Sequence, residues 1–122
     1  MDDPGGNEGV TVASGERRRS SLRRDPLTYN VRATLSDGTP WYPGVGATFQ
    51  AAYLSTPADP TAPDWKVGTF GLTRIGTVIG LVNVGPGGTI QLAKGKWYEW
   101  SRATDAALGV DYIECVGTLI VE

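Results

Sequence analysis

Turn residues punctuate this chain too densely for long helices. Glycine and proline supply 17 and 8 of its 122 residues, roughly a fifth against a usual background of about 12%. From Pro26 onward they separate short β-branched and aromatic runs at intervals of about 8 to 15 residues, the pattern of a small sandwich or barrel. The length suits one core and is too short for two. With a single cysteine, Cys115, no intrachain disulfide can form, so the apolar core or a partner must supply stability.

Residues 27–35 (LTYNVRATL) alternate Leu27, Tyr29, Val31, Ala33 and Leu35 with polar neighbours, which predicts a strand with one buried and one wet face. Residues 47–54 (ATFQAAYL) put Phe49, Ala51 and Tyr53 on one face of a second strand. Residues 55–64 (STPADPTAPD) hold three prolines, each lacking a backbone donor, so this stretch is a loop and not a central strand. Residues 65–70, 76–84, 89–92, 96–103 and 111–121 supply up to five further strands. The expected fold is an all-β, antiparallel β-sandwich of about seven strands over residues 26–122. Cys115, alternating with Ile113 and Gly117, is expected to be a small buried hydrophobe.

Residues 1–25 have few apolar members and no period that would bury a face, so they read as an extended N-terminal arm. The first residues are acidic and glycine-rich rather than basic then apolar, and no run reaches the ~18 apolar residues of a membrane span. A soluble chain without a signal peptide or membrane contact is the expectation. The arm balances five acids with five arginines, Arg17, Arg18, Arg19, Arg23 and Arg24, inside a chain of net charge −2. Planar, permanently charged guanidinium groups suit carboxylates and phosphates, which makes these five candidates for docking on an acidic protein surface. Asp2, Asp3 and Glu8 would oppose a polyanion, and no aromatic residue interleaves the arginines, which argues against nucleic acid.

The sequence contains no histidine. That removes the commonest general base and the commonest metal ligand, and nothing pairs two carboxylates for hydrolysis, so a non-enzymatic domain is expected. Gly85-Pro86-Gly87-Gly88 lacks the Lys-Ser/Thr of a phosphate loop. The scattered Asp59, Asp64, Asp105 and Asp111 match no calcium loop, so no cofactor or metal is expected. In Lys96-Trp97-Tyr98-Glu99-Trp100 a period of two puts Tyr98 and Trp100 on one face, read as core, and leaves Trp97 as an interface candidate. Trp41 and Tyr42 at a turn, with the stiff loop 55–64, complete the expected contact residues. Exposed tryptophans would also suit a carbohydrate-binding sandwich.

One ordered set of motifs resembles a known group. Pro63-Asp64-Trp65, Val84-Gly85-Pro86-Gly87-Gly88, residues 92–97 ending in Trp97, Trp100, Arg102-Ala103-Thr104-Asp105 and Val116-Gly117-Thr118-Leu119-Ile120-Val121 together resemble small virion proteins encoded among the head genes of tailed bacteriophages that infect actinobacteria. The resemblance spans residues 29–122. It departs at Ala106-Ala107-Leu108-Gly109, where the pattern tends to have Pro-Glu, and it does not include the arm. It implies an immunoglobulin-like sandwich acting as a phage structural protein. The expectation is a capsid decoration protein docking through its arm on the major capsid protein and on neighbouring copies of itself. Such a protein is made in the bacterial host cytoplasm and ends on the capsid surface of the virion. A head-tail connector or tail component shares the same resemblance, which transfers no catalytic residue.

Overall fold

Alternating burial along short strands organises the computed structural model, which describes residues 15–71 and 78–122. Among the described residues there are eight strands: β1 (Gly15–Arg19), β2 (Leu27–Val31), β3 (Thr48–Leu54), β4 (Lys66–Val67), β5 (Thr69–Phe70), β6 (Val78–Val82), β7 (Gly95–Asp105) and β8 (Val110–Val121). They form a five-stranded sheet in the order β1-β8-β7-β3-β4 and a three-stranded sheet in the order β2-β6-β5. The all-β, two-sheet expectation holds at that level.

The inner faces of β2 and β3 are those expected from their alternation. Leu27, Tyr29 and Val31 are buried on β2, and Phe49 and Ala51 on β3, opposite Val78 and Val82 of β6. An aromatic chain runs through this core: Tyr29 to Phe49 at 5.7 Å, Phe49 to Phe70 at 6.0 Å and Phe70 to Trp41 at 5.8 Å between ring centroids. Burying a side chain such as Phe49 contributes about 1.5–3 kcal/mol.

The long hairpin β7–β8 corrects two expectations. On β7 the inward set is Trp97, Glu99, Ser101, Ala103 and Asp105, with Glu99, Ser101, Ala103 and Asp105 buried. Tyr98 and Trp100, read as core, occupy the opposite face. Glu99 and Asp105 can face inward because both receive hydrogen bonds there, whereas the buried Ser101 hydroxyl between them has no partner among the described residues. On β8, Glu99 pairs with Gly117 and Trp100 with Cys115, leaving Val116 as an extra residue. A one-residue bulge reverses which side chains face inward. Cys115 is therefore exposed, as is Ile113, while Leu119 and Val121 beyond the bulge are buried.

The N-terminal arm is corrected in its second half. β1 pairs in parallel with β8, from Gly15 opposite Gly117 to Arg19 opposite Val121, so the sandwich is not wholly antiparallel and its N-terminal boundary lies before residue 26. Arg17 and Arg19 take inward positions where carboxylate and carbonyl partners await them, which no apolar pattern announces. Residues 1–14 of the expected arm lie outside the described residues, as do residues 76 and 77 of the expected strand 76–84. Residues 89–92 contribute a single bridge, Val84 to Ile90, instead of a strand.

The stretch expected as one strand over residues 65–70 is divided between the sheets. β4 pairs with β3, whereas β5 pairs with β6, and the chain crosses at Gly68. A Cβ on Gly68 would lie 2.5 Å from the Leu81 carbonyl oxygen and 2.9 Å from the Phe49 ring. Backbone cannot yield as a flexible side chain can. Gly68→Ala should lower unfolding free energy by about 2–3 kcal/mol, as checked by urea denaturation; an unchanged midpoint would refute this account of the crossing.

Candidate functional site

The arginine cluster is divided by strand parity. Arg17, on the inner side of β1, donates from Nε and Nη2 to the two carboxylate oxygens of Glu99 at 3.0 and 2.7 Å. The Tyr29 hydroxyl donates to the same carboxylate at 2.7 Å and lies 2.7 Å from the Tyr53 hydroxyl. Arg17 Nη1 donates to the Thr28 carbonyl at 3.1 Å, and its guanidinium sits 4.8 Å from the Tyr29 ring centroid. One network thus joins β1, β7 and β3 of one sheet to β2 of the other. Burial opposes the Arg17 charge, but the Glu99 bond and field more than offset it and hold its pKa above the ordinary value. Burial, reinforced by Tyr53 and Glu99, pushes the Tyr29 phenol well up. Burial likewise raises Tyr53. The tyrosines stay protonated and serve as donors. A cleft of about 500 Å³ opens beside the network, lined by residues that include Arg17, Arg32, Tyr112 and Glu114.

Arg19 is 5% exposed and organises the turn that follows it. Its Nη2 donates to the carbonyls of Arg23 at 3.5 Å, Val84 at 2.8 Å and Asp25. Backbone bonds from Ser21 to Glu122 (2.7 Å) and from Glu122 to Arg19 (2.9 Å) fasten the same turn to the end of β8. On the surface, Arg18 bonds Glu122 at 2.8 Å and Glu16 at 3.2 Å, and Arg23 grips both oxygens of Asp25 at 2.6 and 2.8 Å. The Arg23 guanidinium holds the Asp25 carboxyl below its ordinary value. Of the five, Arg24 alone has no hydrogen bond or ion pair among the described residues. Beside it Leu22 stands 78% exposed. The turn therefore presents one apolar and one cationic side chain on a backbone fixed from inside by Arg19.

The expected aromatic contacts separate. Trp41 is 1% exposed, and its indole N–H donates to the Asp105 carboxylate at 3.0 Å. It is a core residue, which corrects its reading as an interface candidate; the partner for the indole, 64 positions away, is invisible to local pattern. Trp97 faces inward, half-buried against the core, with its indole N–H donating to the Ala93 carbonyl at 2.9 Å. Tyr42 is exposed. Two tryptophans not singled out as contacts meet instead on the outer face of the five-stranded sheet. Trp65 follows a 3₁₀ turn (Ala62–Asp64), and with Trp100 of β7, Ile113 of β8 and Arg102 it borders a groove of about 490 Å³ beneath loop 55–64. Correct parity for β7 would have identified it. Asp64 steadies the loop by accepting from the Thr61 backbone and hydroxyl at 2.7 and 2.9 Å.

Among the described residues no group of three or more Cys, Asp or Glu side chains could hold a metal ion, and no helix is long and apolar enough to cross a membrane. Comparison with family models, with curated proteins and with solved structures finds no match.

Removing one partner of a buried pair strands the other. Arg17→Ala should cost about 3 kcal/mol, the low end of the roughly 3–5 kcal/mol for breaking a buried pair, because the Arg17 side chain is 35% exposed. The double variant Arg17→Met/Glu99→Leu should recover most of the loss in chemical denaturation. Equal losses in both variants would show that the ion pair is not the source.

The phenols supply a pH signature. Tyr29 and Tyr53 ionise near 10 when unfolded and well above it when folded, so their contribution is fully present below about pH 10. It is lost as pH rises past that value. Thermal melts from pH 8 to 11 should fall most steeply above about pH 10, and Tyr53→Phe should shrink that fall; a Tm independent of pH across that range would contradict the assignment.

Proposed function

We propose that this chain is a non-enzymatic virion structural protein, an immunoglobulin-like sandwich that decorates the capsid of a tailed bacteriophage. Its partners are the major capsid protein and neighbouring copies. The reading rests on the ordered motifs of residues 29–122 and on one observation: the turn formed by residues 20–25 is fixed by Arg19 yet projects Leu22 and Arg24 outward. A segment already ordered before it meets a partner loses little entropy on docking. An exposed leucine beside an uncommitted guanidinium suits an apolar spot rimmed by carboxylates. Attachment therefore narrows from the whole arginine cluster to this turn, with Arg17 and Arg19 as its roots. Other exposed apolar side chains, among them Tyr42, Val45, Val67 and Leu108, lie away from this turn and are of the kind most surfaces carry.

Purified particles provide the test. Mass-spectrometric quantification should find copies comparable in number to the capsid subunits, whereas a connector or tail component would be present in only a few. Leu22→Ser combined with Arg24→Ser should reduce occupancy most at low salt, and the difference from the unmodified protein should narrow as salt rises, because salt screens the Arg24 contact that the variant lacks. Absence of the protein from particles would end the virion reading. Unchanged occupancy at every salt concentration would move attachment away from the turn.

A further inference from the structure

A sheet face turned to solvent ordinarily alternates toward polar residues, yet the outer face of the five-stranded sheet carries Trp100, Ile113 and Cys115 under a loop that adds Trp65. Ile113 is 49% exposed, and both indoles are half-buried. We infer that the groove between loop 55–64 and this face binds a neutral sugar ring, presented by an oligosaccharide or polysaccharide.

Charge decides the class of ligand. Arg102 donates from Nε and Nη2 to both oxygens of Asp111 at 3.0 and 3.1 Å, so its charge is already matched and offers little to an anion. The same guanidinium lies 5.9 Å from the Trp65 ring centroid, which places positive charge on the π face that a cationic ligand would need. Asp59, on the loop side of the groove, has no hydrogen bond or ion pair among the described residues. An anion meets the Asp59 carboxylate as a like charge with no free cation beside it, and a cation, though drawn to Asp59, meets Arg102 at the Trp65 ring; a neutral ligand meets no like charge.

Polar atoms narrow the class again. A wholly apolar ligand would cover the Asp59 carboxylate and the Arg102 Nη1, leaving an acceptor and a donor without partners, and burying such groups unpaired is costly. The ligand must bring both a donor and an acceptor at the rim of a flat apolar body. A pyranose has that form: axial C–H bonds make an apolar face for an indole, and each ring hydroxyl both donates and accepts. A proline-rich peptide also favours aromatic grooves, but its proline rings bring no N–H for Asp59. The volume of about 490 Å³ falls within the span of small-ligand sites, about 300–1,000 Å³. Pro57, Pro60 and Pro63 limit the freedom of the loop wall, so little ordering is needed on binding.

The four tryptophans give four indole N–H signals for nuclear magnetic resonance. The full chain is titrated with maltotriose, cellotriose and triacetylchitotriose, the indoles being assigned by single Trp→Phe variants. The inference requires saturable shifts at Trp65 and Trp100 with at least one sugar while Trp41, sealed in the core, stays still. Asp59→Ala, at an exposed loop position, and Trp65→Ala should each weaken binding about tenfold. No saturable shift with any of the three sugars overturns the inference. So does binding that survives both substitutions unchanged, or tighter binding of a decaproline peptide. Indole shifts that depend on protein concentration without sugar would overturn it in favour of a second copy of the chain.

Discussion

The bidentate contact between Arg17 and Glu99 is the interaction on which the arrangement of this molecule depends. Glu99 sits at 1% exposure on the inner face of β7, where an unpartnered carboxylate would be untenable. Its cation comes from β1, more than eighty residues earlier in the chain, and its second donor, Tyr29, comes from the opposite sheet. Satisfying that one carboxylate therefore fixes the position of the N-terminal strand and the approach of the two sheets together. Such a network contributes more to uniqueness than to net stability, because desolvation consumes much of the Coulombic gain. A one-residue slip of β1 would either set Glu16 against the Glu99 carboxylate or draw Arg18 away from Glu122.

Legibility followed the apolar alternation and ended where charges replaced it. Leu27, Tyr29 and Val31, or Phe49 and Ala51, announce their buried faces because every second side chain is apolar. In β7 the inward positions are Glu99, Ser101 and Asp105, whereas the outward ones include Tyr98 and Trp100, so hydrophobicity alone gives the reverse assignment. Only the distant Arg17, Tyr29 and Trp41 explain why the polar side turns in. The bulge at Val116 caused a second failure of the same kind, since strict alternation carried through it exchanges Cys115 with its neighbours. The groove went unseen as a consequence: it is built from Trp100 and Ile113, both of which the simple period assigns to the interior.

Arg17 and Arg19 also show why a run of arginines is a poor guide to disorder. Consecutive charges in a strand point to opposite faces, so half of them can enter the interior while the other half remain wet. Arg19 finds three carbonyl groups at a chain reversal and acts as the template around which that reversal closes. Arg18, between them, stays on the surface with Glu122. A polar segment with no apolar period has been incorporated into a sandwich by hydrogen bonding, and the surface-active part is reduced to the residues at the apex of the turn.

The parallel pairing of β1 with β8 has a mechanical consequence. Tension between the segment that precedes Gly15 and the end of β8 would act along the strand axes in opposite directions, since the two neighbouring strands run the same way from Gly15 and Gly117 to Arg19 and Val121. The ladder is then loaded in shear, with its bonds sharing the force, instead of being peeled apart one bond at a time. The Glu99 carboxylate, gripping Arg17 from β7 on the far side of β8, adds a lateral tie that sliding must also break. A body held by a large assembly through the segment before β1 and pulled through the end of β8 would thus meet shear resistance along the axis of the β1–β8 ladder.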